Sequence, residues 1–102
     1  MYSCVAEDDA ILRYVPVQTL AGHGYCVIHA VDGVDALAKA SEYDGQIHVL
    51  VTNVRMPHMD GHPLARELKA KLPDIEILMV SGDHEDGFPA EAVNYADALM
   101  SY

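Results

Sequence analysis

Acidic, amide and hydroxyl side chains stand at the ends of three apolar, β-branched segments of the sequence. Glu7 and Asp8 follow the first of these segments, Asn53 ends another, and Ser81 ends a third. Carboxylate and amide oxygens are hard ligands of the kind that Mg²⁺ accepts, with water completing its octahedron. A hydroxyl and nearby backbone N–H groups could hold phosphoryl oxygens. These residue types favour a magnesium and phosphoryl site, although acids after a strand are also typical of a helix N-cap.

Short strands and helical patterns alternate along the chain and decide whether those side chains can meet. Strands are predicted at 3–6, 25–30, 47–52, 75–80 and 98–100. Helices are predicted after Asp9, at about 34–41, from Pro63 to Leu72, and weakly from Asp83 to Tyr95. This alternation predicts a doubly wound α/β fold, a five-stranded parallel sheet with helices on both faces. In such folds the site lies at the carboxyl ends of the strands, where the chemistry-bearing residues stand.

The apolar residues of the first two helical patterns indicate which helix faces should pack. In the first they are Ile11, Leu12, Val15 and Leu20, and in the second Val34, Leu37 and Ala38. Pro16 should kink or shorten the first helix, because it removes a backbone donor.

Length and charge limit what the chain can bind. The 102 residues fit a single domain, 1–102, around one core. Six basic and 16 acidic residues give a net charge of −10, which argues against direct nucleic-acid binding and against docking on anionic membranes. Because no apolar run approaches the ~20 residues of a membrane span, we expect a cytoplasmic protein. Cys4 and Cys26 are too few for a disulfide framework and are predicted to be reduced core thiols.

Four segments at the predicted strand ends carry a more specific pattern. They are Val5–Asp9 (VAEDD), Ala30–Leu37 (AVDGVDAL), Thr52–Gly61 (TNVRMPHMDG) and Val80–Gly82 (VSG). In this order and spacing they resemble the receiver (CheY-like) domain of two-component response regulators. The resemblance covers essentially the whole chain.

The resemblance implies a flavodoxin-like strand order, 2-1-3-4-5, and a set of roles. Asp8, assisted by Glu7, would hold Mg²⁺ together with the backbone carbonyl of Arg55. Position 53 would accept a phosphoryl group from a sensor histidine kinase, and Ser81 would close onto that group. The matching motifs add four further residues near the site, namely Asp9, Met56, Pro57 and Gly82.

Asn53 stands where the family has its phosphoaccepting aspartate. A carboxamide oxygen is neutral and its lone pair is delocalised, so no acyl phosphate can form there by the family's route. The amide also removes a negative charge, which should weaken Mg²⁺ binding, and its NH₂ could donate a hydrogen bond to Asp8. We therefore expect a signalling domain rather than an enzyme, acting through protein contacts and not phosphorylated at position 53.

The end of the sequence departs from the family as well. Tyr102 aligns with the family's lysine and Leu99 with a position that is often aromatic, and the family's last helix is missing. An uncovered sheet face would be an apolar patch. We therefore expect a truncated chain, a swapped or partner-supplied helix, or a homo-oligomer, with any output function on another domain. Two alternatives stay open: an ordinary phosphoaccepting receiver with an engineered Asp-to-Asn change, and a Mg²⁺-dependent phosphatase with Asp8 as nucleophile.

Overall fold

The architecture is a five-stranded parallel sheet with helices on both faces. The structure, a computed structural model, describes residues 1–43, 46–81 and 95–101. Its elements are β1 (Tyr2–Ala6), α1 (Ala10–Gly22), β2 (Cys26–Ala30), α2 (Gly33–Ser41), β3 (Ile47–Asn53), α3 (Gly61–Lys71), β4 (Glu76–Ser81) and β5 (Ala98–Ser101). The strand order β2-β1-β3-β4-β5 confirms the predicted fold. Most of the helix predicted for 83–95, together with Gly82 and Tyr102, lies outside the described residues.

β1 and β3 form the centre of the sheet, and their composition explains why. β1 is hydrogen-bonded to β2 on one side and to β3 on the other. Cys4, Val5 and Ala6 are fully buried, as is Leu50 of β3. Such continuous apolar runs are typical of parallel strands covered on both faces. Cys26 differs from its prediction: it is exposed, because it begins the edge strand β2.

α1 begins at a well-formed cap but packs less apolar surface than predicted. The Asp9 carboxylate accepts hydrogen bonds from the backbone N–H groups of Ile11 and Leu12, at 2.8 and 3.3 Å. The helix continues through Pro16, so this residue does not end it. Val17 is the one described α1 residue that is buried. The predicted apolar residues do share a face, but Ile11 is 81% exposed, because that face lines an open groove and not a core.

α2 and α3 cover the other face of the sheet with small and branched side chains. Leu64 and Leu68 of α3 are buried at the predicted four-residue spacing, and α3 begins two residues before the predicted Pro63. The buried side chains of α2 are Ala36 and Ala40. The predicted packing of Val34 and Ala38 was wrong, since both residues are exposed and only Leu37 packs against the core.

The two sides of the sheet are unequally filled. The larger core lies under α2 and α3, whereas the cluster on the α1 side consists of Val5, Val17, Val51 and Val80 with a few half-buried neighbours. Within the described ranges, a groove of about 520 Å³ runs beside α1 over β3, β4 and β5. Its walls are almost entirely apolar, and the polar residues Glu7 and Asn53 stand among its lining.

β5 is anchored at its start by one aspartate. The Asp97 carboxylate accepts a 2.8 Å hydrogen bond from the Ile77 N–H, and the Asp97 N–H donates to the Ile77 carbonyl at 2.8 Å. Lys69 of α3 pairs with the same carboxylate at 3.2 Å. The Ile77 hydrogen bond is the main reason why the pKa of Asp97 is lowered.

Candidate functional site

The carboxyl ends of β1, β3 and β4 bring the predicted site residues to one edge of the sheet. Ala6 pairs with Thr52 in register, and Asn53 pairs with Val80. Glu7 follows directly on β1, while Asn53 and Ser81 are the last residues of their strands. The strand ends therefore place the acidic pair, the carboxamide and the hydroxyl on adjacent strands. Ser81 is buried, and Gly82 lies outside the described residues.

Glu7 is the nearly buried carboxylate of this cluster, with 6% of its surface exposed. Its Oε2 accepts hydrogen bonds from the Asp9 N–H at 3.1 Å and from Nδ2 of Asn53 at 3.3 Å. Its backbone carbonyl accepts from the Arg13 guanidinium at 2.6 Å. A buried charge requires such donors to offset its lost hydration. The sequence suggested that the Asn53 amide could donate to Asp8, and the structure assigns the acceptor role to Glu7.

Asp8 and Asp9 have different environments although they are adjacent in sequence. The Asp8 side chain is exposed at the end of the sheet. Asp9 is the N-cap of α1, and one of its carboxylate oxygens accepts hydrogen bonds from backbone N–H groups in the first turn of that helix. The acidic run therefore combines both chemistries that its sequence allowed, a helix cap and a pair of carboxylates at the strand end.

The loop between β3 and α3 is closed on itself by backbone hydrogen bonds. The Gly61 N–H donates to the Val54 carbonyl at 2.8 Å, and the Val54 N–H donates to Val80 at 3.0 Å. The Asp60 carboxylate accepts from the Met56 N–H at 3.0 Å, so it serves the loop and makes no capping bond to α3. Met56 is buried, whereas Arg55 and Pro57, the residues on either side of it, are exposed.

Gly61 permits the close approach that closes this loop. A Cβ at position 61 would overlap the backbone carbonyl oxygen of Asn53 and lie 3.2 Å from Cγ2 of Thr52. A residue without a side chain is therefore required where α3 starts against the end of β3. The Asp-Gly pair of the sequence motif has this physical basis.

His58 lies at the tip of this loop, and no motif of the sequence predicted a role for it. Its Nδ1 lies 2.8 Å from Oδ2 of Asp32, and its φ is 68°, in the left-handed region. Oδ1 of Asp32 accepts from the Asp35 N–H at 2.7 Å and caps α2. That backbone bond, followed by the bond to His58, lowers the pKa of Asp32. No local pattern predicts this contact, because its partners are 26 residues apart.

Oxygen donors predominate at this edge of the sheet. In the described ranges no group of three or more His, Cys, Asp or Glu side chains is placed to hold a metal ion. A cation here would therefore depend on two carboxylates, a backbone carbonyl and water. Mg²⁺ accepts such a set, since it is bound through one or two carboxylates and keeps several of its waters.

Comparison with known families agrees with the fold and the motifs. Residues 4–99 match the model of the response regulator receiver domain. The chain belongs to this family, whose members are domains of two-component signal transduction. Receiver domains are generally signalling domains and not enzymes.

Two curated relatives come from Brucella abortus. The sensor kinase CckA is 41% identical over 92 residues, which are 86% of this chain and 10% of the kinase. The response regulator receiver protein CpdR is 36% identical over 90 residues, covering 88% of this chain and 69% of that protein. The chain therefore spans only a small part of the first relative and about two thirds of the second.

Solved structures show the same fold. The receiver domain of the hybrid histidine kinase CckA superposes with a TM-score of 0.75 at 27% identity, over 100% of this chain and 83% of that one. The Thermotoga maritima response regulator TrrA, solved in complex with Mg²⁺-BeF, gives a TM-score of 0.82 at 22% identity, over 99% and 85% of the two chains.

Among the helices that the structure describes, none has the length and apolar character needed to cross a bilayer.

Proposed function

We propose that this chain is a receiver domain that is not phosphorylated at position 53 and that signals through protein contacts. The observation that carries the proposal is the 3.3 Å hydrogen bond from Nδ2 of Asn53 to the nearly buried Glu7 carboxylate. The amide occupies the position that the family motif gives to a carboxylate, and it satisfies part of the neighbouring charge. The acidic cluster is thereby held together by hydrogen bonds within the chain.

The chemistry of a carboxamide supports this proposal. Attack on phosphorus needs an electron-rich, charged oxygen, and the Asn53 carboxamide offers a neutral, delocalised one. Thr52, the adjacent hydroxyl, is fully buried, and its Oγ1 donates to the Asn53 carbonyl at 3.0 Å. Thr52 is therefore poorly placed to accept a phosphoryl group in place of Asn53.

A weak Mg²⁺ site belongs to the proposal. Glu7, Asp8, the carboxamide oxygen of Asn53 and the backbone carbonyl of Arg55 would hold the cation, and hard oxygen donors suit it. When bound, it would offset the negative charge of phosphoryl oxygens at the strand ends. Asn53 supplies no negative charge, so affinity should be lower than with a carboxylate at this position.

The proposed partners are signalling proteins: a sensor histidine kinase, an output domain or a second copy of the chain. Similarity to a sensor kinase and to a response regulator supports this class of partner. The net charge of −10 makes direct nucleic-acid binding by this domain unfavourable.

The proposal is tested with a small phosphodonor, acetyl phosphate, and Mg²⁺. The chain and its Asn53→Asp variant are incubated in parallel, and intact mass spectrometry reports the gain of one phosphoryl group. We expect the variant to gain the group and the natural chain to remain unmodified. A phosphoryl group that peptide mapping locates at position 53 of the natural chain would overturn the proposal.

A second measurement shows whether the pocket is intact. Beryllofluoride with Mg²⁺ mimics a bound phosphoryl group, and backbone amide shifts in NMR report its binding. If only Asn53→Asp responds, Asn53 alone silences the site. If neither protein responds, the domain is an interaction module whose site has lost more than its phosphoacceptor.

A further inference from the structure

His58 adopts a backbone conformation that few residues with a side chain accept. Among the residues described, it is the one non-glycine with positive φ, at 68°. Histidine tolerates this region better than most residues, yet a left-handed conformation is still unfavourable for it and persists only where the surroundings impose it. The loop tip must therefore be held by contacts beyond the loop itself.

Asp32 supplies the firmest of these contacts. It is nearly buried, and both of its oxygens are engaged, one by the Asp35 N–H at 2.7 Å and the other by His58 at 2.8 Å. Asp35 itself accepts a hydrogen bond from the Val31 N–H at 3.0 Å and pairs with Lys39 at 3.2 Å. Asp32 is thus fixed by the first turn of α2 and offers His58 a rigid partner.

The loop tip also packs directly on the start of α2. A Cβ built at Gly33 would come within 2.7 Å of the Met59 side chain and of its carbonyl oxygen. The loop is thus anchored twice, at the sheet by the Val54–Val80 and Gly61–Val54 hydrogen bonds, and at α2 by His58 and Met59. Arg55 lies between these two anchors.

We infer that His58, through Asp32, is a positioning residue for the cation site, because it fixes the loop that carries the Arg55 backbone carbonyl. This inference rests on the proposed function, which assigns that carbonyl to the cation. If the inference holds, His58 affects the affinity for the cation, whereas a histidine with only a structural contact would affect stability alone.

Three substitutions separate the two properties of His58. His58→Asn keeps both, since asparagine tolerates positive φ and its NH₂ can donate to Asp32. His58→Gly keeps the backbone freedom but has no side chain to reach Asp32. His58→Ala loses both. If a variant fails to fold, Asp32→Asn weakens the same contact and retains a residue suited to capping α2.

The probe is Mn²⁺, which prefers the same oxygen ligands and broadens nearby amide signals in NMR even when it binds weakly. In the natural chain, broadening should centre on residues 7–8 and 53–56, and Asp8→Asn should abolish it. We expect His58→Gly to weaken the apparent affinity severalfold, because the loop that contains Arg55 loses one of the contacts that fix it. His58→Asn should restore it, with both variants close to the natural chain in thermal midpoint.

The outcomes separate the inference from the proposal beneath it. Equal Mn²⁺ affinity in the natural chain and in His58→Gly would overturn the positioning role and leave the proposed cation site standing. A lower thermal midpoint with unchanged affinity would do the same, since His58 would then be only structural. Absence of localised broadening in the natural chain would refute the cation site itself, and the positioning role with it.

Discussion

Replacing Asn53 by aspartate should destabilise the domain in the absence of Mg²⁺. The present amide donates from Nδ2 to Oε2 of Glu7 at 3.3 Å. The substitution exchanges this donor for a second carboxylate oxygen facing the first. A favourable hydrogen bond is thus replaced by a repulsion between like charges at nearly the same distance.

The size of the penalty follows from that distance and from the exposure of position 53. Two unit charges 3.3 Å apart repel by about 1 kcal/mol in water and about 5 kcal/mol at an effective dielectric constant of ~20. Glu7 is nearly buried, whereas Asn53 is only half-buried, so the net loss should be about 2 kcal/mol between these limits. For a domain of this size that corresponds to a fall of roughly 8–16 °C in the thermal midpoint.

Urea and thermal unfolding at pH 7 with a chelator give the measurement. Asn53→Ala is the control for the hydrogen bond alone and should lose only about 1 kcal/mol. The difference in unfolding free energy between Asn53→Asp and the natural chain should become smaller as the pH falls towards ~4, because protonation of either carboxyl removes the repulsion. Saturating Mg²⁺ should narrow it as well. An aspartate variant as stable as the natural chain at pH 7 without Mg²⁺ would refute this reasoning.

Three further predictions test other parts of the structure. Gly61→Ala should cost about 2 kcal/mol in urea unfolding because its Cβ has no space, whereas Gly22→Ala, where a Cβ meets nothing within 4 Å, should change stability by ~0.5 kcal/mol or less. A backbone N–H of β4 holds the pKa of Asp97 below its usual range. The stability advantage of the natural chain over Asp97→Asn should therefore be full above pH ~4 and disappear as the pH falls further, as urea titrations at several pH values would show. Burial raises the pKa of the Cys4 thiol to about 12. At pH 8 a disulfide reagent should then modify the exposed Cys26 quickly and Cys4 only after unfolding; two fast-reacting thiols would contradict this.

The strands could be predicted from sequence because their β-branched runs are long enough to indicate burial on both faces. The ends of each observed strand lie no more than one residue from their predicted positions. The helix faces were harder to predict. On α2 the buried side chains are alanines, which carry a weak hydropathy signal, while the more apolar Val34 is exposed. On α1 the apolar face is where the sequence placed it, but apolarity does not show whether another element covers that face.

The site was predictable at the level of strand ends and not at the level of atoms. The sequence located Glu7, Asp8 and Asn53 together, because parallel strands end at one edge. Which of two adjacent acids turns towards the amide depends on the backbone after β1, where Asp9 is already engaged in capping α1. The contact between Asp32 and His58 depends on a left-handed residue in a loop, and no periodicity signals that conformation.

The groove beside α1 makes local opening uneven across the sheet. Among the strands that the structure describes, β1 has neighbours on both sides, whereas β5 has β4 alone and exposes Leu99 and Met100. The free energy of opening should therefore be lowest at β5 and highest at β1, and amide hydrogen exchange should follow that gradient. Anything that fills the groove would bury Met100 and slow exchange in β5 before it changes β1. The protection of the β5 amides against hydrogen exchange thus reports whether the groove beside α1 is occupied.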